Sequence, residues 1–578
     1  MREIAALSAG LAVLVIPGIL LWRIVFPEDD FVDRLTWGST AGLAITVLVA
    51  FYASLYRVSL FWPLWSVVFV AATVLAIVHR KRKRAALRDG NELWLALVLV
   101  VVAVSRFLPT FFHSIPPGFD PSLHSLLAKK LMLTDRFVSD FSPFESIAVT
   151  YPLGSHFLLA VLSRATSMPL HRVFQLLVPA LGVITTAQIY AMARTVFRSA
   201  EIALYSALAY GTWAFLGSIG YYAWGGLPNE LGMMFLVAAI SLVFRPSSDI
   251  RFAGAFAVFL SGVFLTHHQV TVVAALIIGV AAAHFLLQPR ILRAVSRNKL
   301  QMMITGGVGA VLLASAYLLP ELAKLARIGQ TDALRFQTSH TVLALLADMG
   351  LIFLVAGISG FIWSGRHKAT EQTSLLRAIC LVLTVAYVFC GPLYSAYSHY
   401  RWGDDRAALE PTRFITDLVY FISLYAGFAI YRLAFRLSLP QRRVVGLALL
   451  LALSNVALWR NLYAGGVDND LWHAYAWIQQ HAPADAVVLT NDSWAAYATW
   501  RPTLNTPYNP ASPRRGENSA RRAAEALAAG HAPEVSEVLT LVAPRGKWDR
   551  GLVVWHSPSG WLVVERWPER GASAKATR

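Results

Sequence analysis

Apolar windows of about 20 residues recur along this chain as far as residue 461, and a helix of that length crosses a hydrocarbon core. Gly42–Tyr52, Leu93–Val104 and Val272–Ala283 are apolar runs inside three such windows. Lipid offers backbone N–H and C=O groups no partner, so each crossing segment must bond within itself. A mean hydropathy of +0.54 and a charged fraction of 14% fit that reading; soluble domains carry roughly 25% charge. About fourteen spans are expected on the length rule, near residues 4–26, 35–57, 60–79, 92–109, 172–194, 200–219, 228–245, 252–267, 269–288, 301–320, 341–364, 376–398, 414–435 and 443–461.

The net charge of +17 does not mark a nucleic-acid partner, because it is not gathered into a stripe. It sits in short loops between spans: Arg80 to Arg84, then Arg290, Arg293, Arg297 and Lys299, then Arg366 and Lys368, then Arg432, Arg436, Arg442 and Arg443. Basic loops of this kind stay on the cytoplasmic side. Arg194–Arg198 and Arg245–Arg251 belong to the same side. Two places strain the scheme. The acidic loop 27–34 (PEDDFVDR) must also lie inside, which is acceptable because acids contribute little to the rule. Segment 152–166 is apolar but must not cross if Arg194 is to stay inside. It reads as a re-entrant or interfacial helix within a large external loop, 110–171; a fifteenth span is the alternative.

Cys380 and Cys390 fall in one apolar span, so no disulfide framework is implied. Met1–Phe26 reads as a retained span and not as a removed signal peptide. From Asp468 the hydrophobic runs shorten and Pro/Asn turn signals appear. AVVLT (486–490), GLVVW (551–555) and WLVVE (561–565) are strand-like, and 473–481 and 518–530 are helix-like. The expected fold is therefore an all-α polytopic membrane domain over 1–464 and a small extracytoplasmic α/β domain over 465–578.

The unusual polar motifs nearly all fall in loops of the external face: GFDPSLH (118–124), YPLGSH (151–156), YYAWGGLPNE (221–230), THHQ (266–269) and SHYRWGDDRAALEPTR (398–413). Asp120 precedes a proline, which holds it extended and lets a helix start at Pro121. Asp120 is thus either a helix cap or a reactive carboxylate, with His124 one turn on along the same side. The helix that follows puts Leu123, Leu126, Leu127 and Leu131 on one face and Lys129 and Lys130 on another, as on a membrane surface. Trp224 offers a stacking face, Gly225-Gly226 lets backbone approach a ligand, and Asn229 and Glu230 open the next span. An interfacial aromatic belt is the plainer reading of the two tyrosines there.

Adjacent histidines point about 100° apart on a helix, so His267 and His268 form no chelating pair and zinc is not expected. They make either a phosphate contact or a solvated turn. Arg401 and Arg413 stand at the outer ends of two spans and are candidates for binding a phosphate through the planar guanidinium fork. Asp417 lies four residues beyond Arg413 and reads as its structural partner. Asp404, Asp405 and Arg406 read as a solvated loop. Asp348, inside a span, is either functional or a helix–helix hydrogen bond.

An early external loop with an aspartate before a surface helix, then YPLGSHFLLAVLSRAT in the same loop, a late Pro-Thr-Arg-Phe (411–414) and WIQQHAPADAVVL (477–489) together resemble the C-type (GT-C) membrane glycosyltransferases. The resemblance runs from about residue 92 onward. It implies transfer of a sugar from a polyprenyl-phosphate carrier, held in membrane lipid, to a glycan, lipid or protein acceptor on the extracytoplasmic side. It also implies that Asp120 is the carboxylate base. His124, Trp224, Asn229, Glu230, His267, His268, Arg401 and Arg413 then become the substrate contacts. Members with a second adjacent acid differ from this chain, where Pro-Ser-Leu-His follows Asp120. No cofactor is therefore expected, with a divalent metal as the open alternative. Two other classes compete. A transporter or flippase of a lipid-linked saccharide should show paired halves with broken helices, and neither is visible in the sequence. A non-catalytic relative would bind glycan through the external domain.

Overall fold

Once a long apolar window enters lipid, helix is its only self-satisfied form, and helices dominate the computed structural model of the protein. It describes residues 2–59, 70, 74, 91–113, 115–117, 120–139, 149, 151–245, 250–287, 293–328, 349–366, 370–402, 411–441, 443, 445–446, 469–483, 486–489, 494–500, 503–504, 538–542, 552–556 and 562–566. Among these residues nine helices are long and apolar enough to cross a bilayer, and two shorter apolar helices, Arg251–Thr266 and Leu351–Gly365, accompany them. The protein is a multi-pass membrane protein. The span expected at 60–79 and most of the one at 443–461 lie outside the described residues, as do Asp348, Asp404, Asp405, Arg406 and the helix expected at 518–530.

Helices α1 (Arg2–Val25) and α2 (Phe31–Leu55) meet through glycine. A Cβ on Gly18 would lie 2.2 Å from the Gly42 nitrogen and 2.3 Å from the Gly38 oxygen, so the backbones touch. Small residues four apart make this close approach possible where no hydrophobic effect drives association. Next come α3 (Asn91–Phe107), α4 (Asp120–Thr134), α5 (Gly154–Thr166), α6 (Leu170–Phe197), α7 (Ala200–Leu208), α8 (Leu227–Phe244), α9 (Ile250–Thr266) and α10 (His268–Leu286). Helix α5 buries every residue from Gly154 to Ser163. Its 13 residues rise only about 20 Å, less than a hydrocarbon core of about 30 Å.

The acidic loop between α1 and α2 is neutralised by the two basic loops that the charge rule put on its side. Asp29 receives both Arg245 terminal nitrogens at 2.8 Å, and Trp22 Nε1 donates to it at 2.8 Å. Arg194 reaches Asp30 at 2.7 Å and Asp33 at 2.9 Å. Arg194 is in the last turn of α6 and Arg245 caps α8, so loops 27–34, 194–198 and 245–251 share one face.

One expected span is not a continuous helix. After α7 the chain makes two π turns, Ala209–Trp213 and Phe215–Ile219, separated at Ala214 by extended backbone with ψ 120°. Gly217 holds φ +73°, and a Cβ there would meet the Thr416 oxygen at 2.2 Å. Phe215 N reaches across to Met349 O at 3.4 Å. The apolar window at 200–219 conceals this break.

Beyond α11 (Arg293–Ile328) lie α12 (Leu351–Gly365), α13 (Glu371–Val388), α14 (Tyr394–Trp402), α15 (Pro411–Arg436) and α16 (Asn469–His481). The described C-terminal residues also form α17 (Ala495–Thr499) and a five-stranded mixed sheet of order β2-β1-β3-β5-β4. Its strands are β1 (Val487–Leu489), β2 (Thr503–Leu504), β3 (Val538–Val542), β4 (Leu552–His556) and β5 (Leu562–Arg566). Strand β1 runs parallel to β2 and β3, and β5 pairs antiparallel with β3 and β4.

Candidate active site

Asp120 is the first residue of α4 and is half-buried. The next residue, Pro121, packs against the glycine turn of the 221–230 motif. Gly225 has φ +85°, and a Cβ on it would lie 2.4 Å from Pro121 Cδ. Only glycine satisfies both the left-handed backbone and that contact. The turn Tyr221–Trp224 and the start of α8 are thereby seated on the start of the Asp120 helix.

One turn into α4, His124 is buried and its Nδ1 lies 2.9 Å from His156 Nε2 on α5. The Tyr151 ring stands 5.5 Å from His124, 6.0 Å from His156, 5.7 Å from His267 and 5.5 Å from His268. Tyr151 therefore joins the early external loop to the hairpin tip between α9 and α10. The tip is held by packing: a Cβ on Gly154 would lie 2.6 Å from Leu265 O, and one on Gly232 would lie 3.3 Å from His267 Cβ. His267 is buried and His268 exposed, so the tip is not simply a solvated turn. Nor do the two rings diverge. His267 is the N-cap of α10, with extended backbone and its side chain accepting from Val270 N. From there its ring stacks on His268 at 5.1 Å and 10°. The expected 100° separation assumed both residues were helical.

Electrostatics keep the loop histidines neutral. Burial first, then the neighbouring His156 and the Arg413 charge, hold the His124 imidazole well below the usual histidine range. Burial pushes His156 down to about 3. A neutral pair shares one hydrogen bond, with one ring donating and the other accepting. Arg413, half-buried in the first turn of α15, acts through its charge on both His124 and His267. The structure thus gathers His124, His267, His268 and Arg413 near the start of the Asp120 helix.

Asn229 and Glu230 are placed differently. Both are buried in the first turn of α8 and face partners inside the protein. Asn229 Nδ2 donates to Tyr221 OH at 2.7 Å and to Asp417 Oδ1 at 3.2 Å, and Tyr420 OH lies 3.3 Å from Tyr221 OH. Glu230 faces Arg106 at 3.8 Å. Arg106 also donates to Ser218 Oγ within the second π turn and lies 5.6 Å from the ring centre of Tyr210 in the first. These residues fasten the motif from beneath. Trp224 ends its turn beside Gly225, and Arg401 lies in α14; the side chains of both fall outside the described residues. Sequence reasoning missed Tyr151, His156, Arg106 and Tyr221 as participants. Arg106 carried a usable signal, a lone cation at the end of an apolar window. Among the described residues no three His, Cys, Asp or Glu side chains are grouped to hold a metal.

No family model and no curated protein sequence matches the chain. Solved structures do. ArnT from Cupriavidus metallidurans in the apo state aligns with a TM-score of 0.58 at 13% identity, over 82% of this chain and 98% of that one. The same protein bound to undecaprenyl phosphate gives 0.57 at 13% identity, over 82% and 97%. The apo oligosaccharyltransferase of Archaeoglobus fulgidus gives 0.54 at 14% identity, over 78% and 70%. Both proteins are glycosyltransferases of the C type, and the fold of this chain is the GT-C fold.

Proposed function

We propose that the protein is an integral-membrane glycosyltransferase that moves a sugar from a polyprenyl-phosphate donor to an extracytoplasmic acceptor. The observation that carries this reading is the gathering of the Asp120 helix, the Tyr151–histidine cluster and Arg413 at one end of a GT-C bundle. The solved neighbours lend support: one is bound to undecaprenyl phosphate and another to a dolichol-phosphate with an inhibitory peptide. The chemistry needs few parts. Asp120 takes the proton of an acceptor hydroxyl, the acceptor oxygen bonds to the anomeric carbon, and the bond from that carbon to the phosphate oxygen breaks. The electron pair leaves with the polyprenyl phosphate. The Arg413 fork meets the charge on that phosphate where the carrier's tail remains in lipid. Neutral His124 and His267 offer hydrogen bonds to phosphate or sugar oxygens without requiring protonation, and His268 stands beside them.

In this reading the chain has about fourteen spans, and residues 465–578 form an extracytoplasmic α/β domain on the Asp120 side of the membrane. Cysteine labelling at Ser142 and Ser519 from one side should modify both. Purified protein is to be assayed with a panel of polyprenyl-phosphate sugars. Asp120→Asn should lower transfer about 10²–10⁴-fold, the usual contribution of positioned proton transfer. Turnover equal to wild type in a folded, inserted Asp120→Asn protein would remove Asp120 from the chemistry.

A further inference from the structure

Helix α4 carries Asp120 at its first residue and Lys129 nine residues later, about 13 Å along the axis. Lys129 does not lie along a membrane surface. Its Nζ donates to the Tyr497 carbonyl at 2.9 Å and sits 5.1 Å from the Tyr497 ring centre and 4.7 Å from that of Trp500. Burial between those rings pushes the ammonium down to about 8, so an ordinary solvated lysine is not what stands here. The same aromatic group grips a second element. Tyr497 OH lies 3.2 Å from His171 Nδ1 at the start of α6, and the Trp472 ring stands 5.1 Å from His171. Trp494 completes the plug, 5.5 Å from Tyr497 and 6.2 Å from Trp472.

The second element also leads into the site. Next to His171, Arg172 pairs with Glu3 at 2.5 Å and donates to Gln175. Gln175 Nε2 reaches Tyr222 OH at 3.0 Å, inside the 221–230 motif. The C-terminal aromatics thus touch the Asp120 helix directly and are linked to the turn seated against Pro121 through His171, Arg172 and Gln175. We propose that Lys129 is a positioning residue, through which the C-terminal segment holds the Asp120 helix in register with the transfer site. A cation between two rings, with a carbonyl accepting its proton, fixes a helix more stiffly than apolar contact alone.

The activity arm of the test rests on Asp120 being the base; the exchange arm does not. Full-length protein in nanodiscs is compared as wild type, Lys129→Met, Lys129→Arg and Trp500→Leu. Amide hydrogen exchange over residues 122–134 reads the clamp directly, since exchange reports local opening. Lys129→Met and Trp500→Leu should speed exchange there about tenfold or more while the α6–α8 spans stay protected. Transfer should fall on the order of 10- to 100-fold in kcat with the donor KM little changed, as misplacement of a reacting group does. Lys129→Arg keeps the cation and the donor and should restore both readouts. Unchanged exchange over 122–134 in Lys129→Met and Trp500→Leu overturns the proposal, as does faster exchange with unchanged kcat. If Asp120→Asn remains active while the exchange changes appear, the base assignment fails and the mechanical clamp stands.

Discussion

The two ends of helices α6 and α8 treat charge in opposite ways. At their C-terminal ends every acid of the 27–34 loop that lies against a basic loop has an arginine within reach. Asp29 takes Arg245 at 2.8 Å, Asp30 and Asp33 take Arg194 at 2.7 and 2.9 Å, and Glu28 approaches Arg251 at 3.7 Å. At their N-terminal ends, about 27 Å away along α8, four histidine rings surround a tyrosine, and three of those histidines, His124, His156 and His267, are buried and neutral. There Glu230 faces Arg106 only at 3.8 Å, and neither of its oxygens has a hydrogen bond among the described residues. The first end holds loops together and is satisfied by its own chain. The second retains polar capacity that packing alone does not require, and inside a membrane protein such capacity points to ligand or reaction.

That contrast can be broken most forcefully at Arg413. Arg413→Ala should lower donor kcat/KM on the order of 10²–10³-fold, the scale of losing one pre-aimed charge donor. Arg413→Lys should fall between, because lysine offers a point charge where a fork is wanted. Donor kinetics read beside detergent melting decide the matter. A lower melting temperature with unchanged donor affinity would make Arg413 scaffold, as the placement of Asp417 four residues on would allow.

The opposite end should respond in the other currency. Asp29→Ala leaves the mostly buried Arg245 uncompensated, and breaking such a pair from one side costs about 3–5 kcal/mol. The melting temperature should drop clearly, while kcat of the surviving folded protein stays near wild type. A loss of kcat without loss of stability would mean that the ion-paired end takes part in turnover.

A smaller effect follows from the neutral histidines. His156 is held at about 3 in the folded protein, against about 6.5 for an unperturbed histidine. The unfolded chain therefore binds more protons between those values, and stability falls as pH drops from about 6.5 toward 3. His124 acts in the same direction. Melting temperature should be insensitive to these two groups above pH 7 and decline in acid, and His156→Gln should flatten that acid limb. An inflection in the transfer rate near pH 6.5 that His124→Gln abolishes would contradict a neutral His124.

Where the code was local, the sequence was legible. Asp120-Pro121 announced a helix start, and α4 begins at Asp120 itself, one residue before the expected start at Pro121. Long apolar windows announced spans because lipid leaves only one backbone solution. What stayed hidden depends on partners far along the chain. His124 meets His156 32 residues away, and Glu230 finds Arg106 on another helix. The break at Ala214 was invisible because a π turn and an α-helix draw on the same apolar residues. The acidic loop looked misplaced until Arg194 and Arg245 supplied the counter-charge from two other loops. Strand β3 (Val538–Val542) pairs with β1 and β5, partners far apart in the chain that no local pattern announces.

One paired experiment tests the difference between the two ends most directly. Asp120→Asn and Asp29→Asn each remove one carboxylate charge, one at each end of the bundle. Transfer from a polyprenyl-phosphate sugar and thermal unfolding are measured on both proteins in the same detergent. The account predicts that Asp120→Asn loses transfer about 10²–10⁴-fold and melts like wild type, and that Asp29→Asn melts lower and turns over normally when folded. Equal loss of transfer in both, or lost stability with retained transfer in Asp120→Asn, would contradict it.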